Sequence, residues 1–194
     1  MRIAVISAGM GKPSATRLLA DRLAAATSAA LAPAEVEIQI IELRDLARDL
    51  ADNLVTGFPG GRLREVLQSV YEADALIAVS PIFSASYSGL FKTFFDVHEP
   101  DSLTGKPVLI GATGGTPRHS LALEHAFRPL FAYLRAVVVP TSVYAASQDW
   151  ADGELAGRID RAAGELAALV AARPQAAPTD PYADPIPFED LLKG

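Results

Sequence analysis

The chain has no cysteine among its 194 residues. That excludes disulfides, thiolate nucleophiles and cysteine-held metals, and makes the cytoplasm the expected location. Histidine is scarce too: His98, His119 and His125 share no metal-ligand spacing, so no metal is expected. No basic cluster exceeds a pair and the formal net charge is −6, which argues against nucleic acid, because phosphate contacts need a basic face. No apolar stretch approaches the roughly 20 residues of a membrane span. The segment Met1-Arg2-Ile3-Ala4-Val5-Ile6 enters a strand at once without a leader-like run, so no membrane partner and no export are expected. A Gly-x-Ser-x-Gly elbow is also missing, and no catalytic side chain stands out.

What remains is half hydrophobic, enough for one full core. Apolar strand-like runs alternate with helical stretches. Ile3 to Ser7, Glu35 to Leu43, Ala75 to Val79, Pro107 to Thr113 and Ala136 to Pro140 read as strands. Helices fit Ser14 to Ala30 (inner face Leu18, Leu19, Leu23 and Ala26), Gly61 to Ala73, Gly89 to Val97, Ser120 to Leu134 and Asp152 to Ala172. Five strands separated by helices predict an α/β, doubly wound parallel sheet of flavodoxin-like order 2-1-3-4-5. Residues 1–173 form that single domain. From Pro174 five prolines mark a separate C-terminal tail, either solvated or a strap anchored by Tyr182, Ile186, Phe188 and Leu191.

Ligands of such sheets collect at the carboxyl ends of the strands, and three loops there are distinctive. The second, Ser80-Pro81-Ile82-Phe83-Ser84-Ala85-Ser86-Tyr87-Ser88, mixes short hydroxyls with flat apolar surface, as a planar polar ligand requires. Pro81 is expected to end regular pairing. The first, Ser7-Ala8-Gly9-Met10-Gly11-Lys12-Pro13-Ser14-Ala15-Thr16-Arg17, runs into a helix N-terminus, where free N–H groups and a positive dipole end favour phosphate. Ser14 also suits a plain N-cap. Neither a dinucleotide fingerprint nor a Walker A loop is present, since Ser14 replaces the third glycine and Pro13 follows Lys12. The third loop, Thr113-Gly114-Gly115, offers backbone donors or is a simple turn.

Together these loops resemble those of the NADPH-dependent FMN reductase family of flavodoxin-like enzymes, closest to members that serve luciferase-like or alkanesulfonate monooxygenases. The resemblance covers roughly residues 1 to 150. It is carried by Pro81 through Lys92, against Pro-x-Tyr/Phe-x-x-x-x-Ser-Gly-x-x-Lys, and by Thr113-Gly114-Gly115. It implies that Ser7, Ser14 and Thr16 take the FMN phosphate, that Pro81, Ile82, Phe83 and Ser84 border the ring, and that Thr113, Gly114 and Gly115 meet its polar edge. Many relatives have an Arg after a Gly-Ser pair in the first loop. Here Lys12 or Arg17 must neutralise the phosphate.

The implied activity is hydride transfer from NADPH to FMN, chemistry the cofactors carry and the protein positions. The expected partners are FMN, NAD(P)H and a flavin-dependent monooxygenase. Alternatives on the same fold are a quinone or azo reductase with tightly bound FMN, a flavodoxin-type electron carrier, and a flavin-binding interaction module. Leu90, Phe91, Phe94 and Phe95 crowd one helix, which together with the resemblance suggests a homodimer or homotetramer. Pro129 crowds the His125 carbonyl, a defect that a π-bulge absorbs. By resemblance such a bulge lies at the subunit interface with His125 at its position; His125 is then expected either to mark a bulge near the flavin that tunes FMN release to the partner or to be an ordinary interface histidine in a Pro-kinked helix.

Overall fold

The computed structural model describes residues 1–151 and 153–173. The expected tail from Pro174, with Tyr182, Ile186, Phe188 and Leu191, lies outside the described residues. The first half runs β1 (Arg2–Ser7), α1 (Ala15–Ala30), β2 (Glu37–Glu42), α2 (Ala47–Thr56), α3 (Gly61–Glu72), β3 (Ala75–Phe83) and β4 (Ser86–Tyr87). The second half runs α4 (Gly89–Asp96), β5 (Pro107–Gly114), α5 (Arg128–Tyr133), β6 (Val137–Val138), β7 (Val143–Ala146) and α6 (Gly153–Ala172). Among the described residues no helix is long and apolar enough to cross a membrane.

The sheet order is β2-β1-β3-β5-β6, all parallel, with β7 also parallel to β5 and β4 antiparallel to β3. Seven strands thus stand where five were expected, for two reasons. Ser86 and Tyr87 fold back on Phe83 and Ile82 as a hairpin. The second reason is at Pro140, which has no N–H to give a ladder. Near it Val137 and Val138 pair with the start of β5, and Val143 to Ala146 pair with its end.

Side chains alternate across the sheet with period two. Ala4 and Ile6 face a layer built by Leu50, Leu63, Leu67, Phe91 and Phe131, from α2, α3, α4 and α5. Ile3 and Val5 face the opposite layer, where α1 and α6 place Leu19, Leu23, Ile159 and Leu166. Leu18, expected inside, is exposed; Thr16, Ala20, Ala24 and Thr27 complete the buried stripe of α1 instead. Helix α2 was not anticipated, because its polar stretch buries only Leu50 and Asn53.

The phenylalanines of α4 do not form an outward surface. Phe91, Phe94 and Phe95 are buried: Phe91 packs with Tyr87, Phe95 and Phe127, and Phe95 with Phe94 and Phe131, at ring separations of 4.8 to 5.5 Å. The apolar excess read from the sequence is satisfied inside the subunit, so it says nothing about assembly.

The expected helix over Ser120 to Leu134 is interrupted. Leu123–Phe127 form a π-turn, with the Arg128 N–H bonded to the Leu123 carbonyl, five residues back. A widened turn here is the way a helix absorbs the crowding that Pro129 imposes on the His125 carbonyl, the defect expected from the sequence.

Candidate functional site

Strand β1 ends at Ser7, paired with Val79. Past that point β3 keeps one parallel neighbour, β5, and a cleft opens at the carboxyl ends of the strands. It measures about 310 Å³. Of the residues singled out in the sequence, Ser14, Thr16, Pro81, Ile82, Phe83, Thr113, Gly114 and Gly115 line it.

Three others do not. Ser7 is 1 % exposed and buried beneath the floor. Lys12 is exposed and lines a neighbouring cleft of about 300 Å³. Ser84 is exposed at the tip of the β3–β4 hairpin, with φ 46, and Ala85 follows with φ 68. Positive φ at both central positions is what a two-residue type I′ turn demands. Without glycine or asparagine there, each residue is held at a cost of about 1–3 kcal/mol.

Pro81 does not end the strand. It pairs with Thr113, and β3 continues to Phe83. Beyond Ser7, β1 has stopped, so a residue lacking an N–H is tolerated as at a sheet edge. The serines that looked like ligand groups are partly structural. The Ser88 N–H donates to Ser80 Oγ at 2.9 Å, while Ser88 Oγ caps α4 by accepting from Phe91 N–H at 3.2 Å. That leaves Phe83, 49 % exposed, as flat surface on the cleft wall.

At the first loop Ser14 is a true N-cap: its Oγ accepts from Arg17 N–H at 3.2 Å. The Leu18 N–H returns to the Ser14 carbonyl. Among the described residues the N–H groups of Ala15 and Thr16 have no partner and face the cleft end of the helix, the arrangement that holds anions. Gly9 is required by packing, because a Cβ there would stand 2.1 Å from Ser14 Oγ.

The charges sort themselves. Arg17 is bound to Asp21 at 2.8 Å and to Glu42, and the Asp21 hydrogen bond, opposed by partial burial, raises its pKa further. Arg44 pairs with the same Glu42 and donates to the Gly11 carbonyl at 2.5 Å. Lys12 alone in this loop has no ion pair among the described residues. Arg44 was missed in the sequence. Its signal was a lone Arg two residues past the end of the strand beside the first loop.

The two glycines of the third loop differ. A Cβ on Gly114 would meet Tyr144 Oη at 2.1 Å, and that hydroxyl donates to the Thr116 carbonyl at 2.7 Å. Gly114 is therefore fixed by Tyr144. Around Gly115 there is nothing within 4 Å of an added Cβ, so Gly115 is the position open to a ligand. A fourth strand end was also missed. Strand β7 brings Ala145 and Ser147 to the cleft, and Trp150 closes it, with the Arg22 guanidinium 5.1 Å from the Trp150 ring. The arrangement is a helix N-terminus with open donors, flat surface from Pro81, Ile82 and Phe83 on β3 with Trp150 elsewhere in the lining, and backbone at Gly115. Those features fit a planar ring carrying a phosphate.

Residues 1–151 match the model of a family described as NADPH-dependent FMN reductase. The "NADH-dependent FMN reductase SfnF" of Pseudomonas fluorescens is 38% identical over 172 residues, covering 89% of this chain and 90% of that protein. An "FMN reductase (NADPH)" of Pseudomonas aeruginosa is 37% identical over 149 residues, or 77% and 78% of the two chains. Among solved structures, an oxidoreductase from Corynebacterium diphtheriae superposes with a TM-score of 0.87 at 44% identity, over 89% of this chain and 98% of that one. A WrbA-like flavodoxin from Agrobacterium tumefaciens, at 15% identity and a TM-score of 0.63 over 88% and 97%, shares the fold, which is flavodoxin-like.

Proposed function

This chain belongs to the NADPH-dependent FMN reductase family, and from that premise we propose that it reduces FMN with NAD(P)H in the cleft at the strand ends. The observation that carries the reading is the meeting, in one cleft, of two open N–H groups at the start of α1 with the flat surface of Pro81, Ile82 and Phe83. FMN, when bound, supplies the ring position that accepts hydride. The chain's residues bind and orient. Ala15 and Thr16 N–H hold the phosphate, and Lys12 supplies the charge that Arg17 and Arg44 have committed elsewhere. Pro81, Ile82 and Phe83 set the ring plane and exclude water from one face. Thr113 and Gly115 meet the polar edge. No side chain is needed as acid, base or nucleophile, in keeping with hydride transfer by positioning.

The same reading includes a flavin-dependent monooxygenase as consumer of the reduced flavin, a homodimer or homotetramer, and a cytoplasmic location. For assembly the support is a groove of about 940 Å³ between α4 and α5, rimmed by Pro129, Leu130 and an exposed Tyr133. The π-turn at Leu123–Phe127 supports a role for His125 in flavin release, since the sequence motif that suggested the bulge does form one.

The test is NADPH oxidation at varied FMN. Saturable dependence on added FMN is expected. Oxidation that needs no added flavin and passes to a quinone or azo dye instead would mark FMN as a resident group and favour the quinone or azo reductase.

A further inference from the structure

The loop from Gly9 to Pro13 crosses from the end of β1 to the N-cap of α1 with little bonding of its own. Ala8 before it is fixed, its N–H donating to the Val79 carbonyl at 2.9 Å, and Ser14 after it caps α1. Between them, among the described residues, one hydrogen bond holds the chain: Arg44 Nη1 donates to the Gly11 carbonyl at 2.5 Å. Met10, Gly11, Lys12 and Pro13 are all exposed, so packing does not fix their pose.

Arg44 is itself anchored. It lies in the 3-10 turn Leu43–Leu46, directly after β2, and its guanidinium pairs with Glu42, with Asp45 at 3.9 Å. Glu42 also takes Arg17 from the first turn of α1, and Asp21 braces Arg17 at 2.8 Å. A planar fork that reaches a carboxylate and a carbonyl at once is a geometry for arginine. The Gly11 carbonyl is thus tied both to the end of β2 and, through Glu42, to α1.

The Gly11–Lys12 peptide is trans, so its N–H points opposite to its carbonyl. Gly11 lines both the cleft of Ser14 and Thr16 and the neighbouring one, whereas Arg44 lines only the neighbouring one. With the carbonyl drawn to Arg44, the Lys12 N–H is turned back toward the first cleft, and it has no partner among the described residues. Reversed, the same peptide would present a carbonyl oxygen to an anion.

Resting on the function proposed above, we infer that Arg44 is a positioning residue for the flavin phosphate. It touches neither the phosphate nor the ring. By holding the Gly11 carbonyl it keeps the Lys12 N–H aimed as a third backbone donor, beside those of Ala15 and Thr16. Successive N–H groups of this kind make an anion-binding concavity.

The experiment compares FMN with riboflavin, which lacks the phosphate, by flavin fluorescence titration of wild type, Arg44→Met and Arg44→Lys. The Kd for FMN is expected to rise about tenfold in Arg44→Met, the effect of one misdirected donor to a charged group. The Kd for riboflavin is expected to stay, and Arg44→Lys, which keeps a donor, to recover part of the loss. Equal losses for FMN and riboflavin would make Arg44 a structural residue and overturn the proposal, as would unchanged FMN affinity. The salt dependence of FMN affinity in Arg44→Met is expected to match wild type, because Lys12 still supplies the charge. A flatter dependence would put Arg44 in direct contact with the phosphate and overturn the positioning role. A wild type that holds riboflavin as tightly as FMN removes the phosphate site itself, so the underlying reading fails there and is distinguished by that.

Discussion

Thr16, in the first turn of α1, and Thr113, at the end of β5, place their hydroxyl oxygens 2.8 Å apart across a buried contact. One bond thus ties the α1 end of the cleft, proposed for the phosphate, to its glycine loop, 97 residues away in sequence. Thr113→Val keeps the shape and orphans the Thr16 hydroxyl, at an expected cost of roughly 1–3 kcal/mol. The urea midpoint should fall with an unchanged m-value. A midpoint equal to wild type would mean the hydroxyl finds another partner.

The two cations of the first loop should separate cleanly. Lys12→Ala is expected to weaken FMN binding about tenfold or more, as loss of a charge-assisted contact worth roughly 1.5–3 kcal/mol. Arg17→Ala should leave affinity nearly intact while loosening Glu42. Flavin fluorescence titration reads both, and equal losses in the two variants would reject the assignment.

Ser14→Ala with Thr16→Ala tests the helix end itself. The N-cap loss alone is expected to cost about 1 kcal/mol of stability, and FMN affinity should drop with it as the first turn frays. Affinity that survives the double change would move the phosphate elsewhere.

Gly114 and Gly115 should respond in opposite ways. Gly114→Ala must displace the Tyr144 hydroxyl and its bond to Thr116, so thermal stability should drop; adding Tyr144→Phe, which deletes the obstructing atom, should restore part of it. Gly115→Ala meets open space and should keep stability while lowering FMN affinity. Comparable melting losses for both single variants would contradict the packing.

His98 makes stability pH-dependent. Burial, foremost, pushes its imidazole down to about 4, with a smaller contribution from Lys106 and an opposing one from the Phe94 carbonyl. Between pH 6.5 and about 4 the unfolded chain therefore binds a proton that the folded chain refuses. Stability is full above pH 6.5, declines as pH falls through that window, and levels off below it, by on the order of 3 kcal/mol in all. Urea titrations at pH 7 and pH 5 should show the decline in wild type and a smaller one in His98→Phe. Parallel curves would assign the acid sensitivity to other groups.

Much of this molecule was legible in residue pattern. The parallel strands Ile3 to Ser7 and Pro107 to Thr113 are buried apolar runs bounded by glycine, and such runs have few other solutions. Ser14 before an apolar repeat marked the start of α1, and Pro129 marked the π-turn, because each acts through its nearest neighbours. What failed depended on distant contacts. Nothing local distinguishes Gly114 from Gly115; Tyr144, 30 residues on, does. Phe91 and Phe95 looked like surplus apolar surface only because Phe127 and Phe131, which pack on them, come from the π-turn and α5 further along the chain. Strand β7 was invisible since four residues after a proline carry little periodicity, and with it went Trp150.

Strand β3 changes character at Val79. From Ala75 to Val79 it has a neighbour on each side, and from Ser80 onward only β5 on the sheet and the short β4 at its tip. Amide hydrogen exchange should register that boundary. Residues 75 to 79 exchange only through global unfolding, whereas Ile82 and Phe83 exchange through a local opening of far smaller free energy. The wall proposed for the ligand should therefore open on a sheet that stays closed, so that a ring bound there would leave without melting anything beneath it.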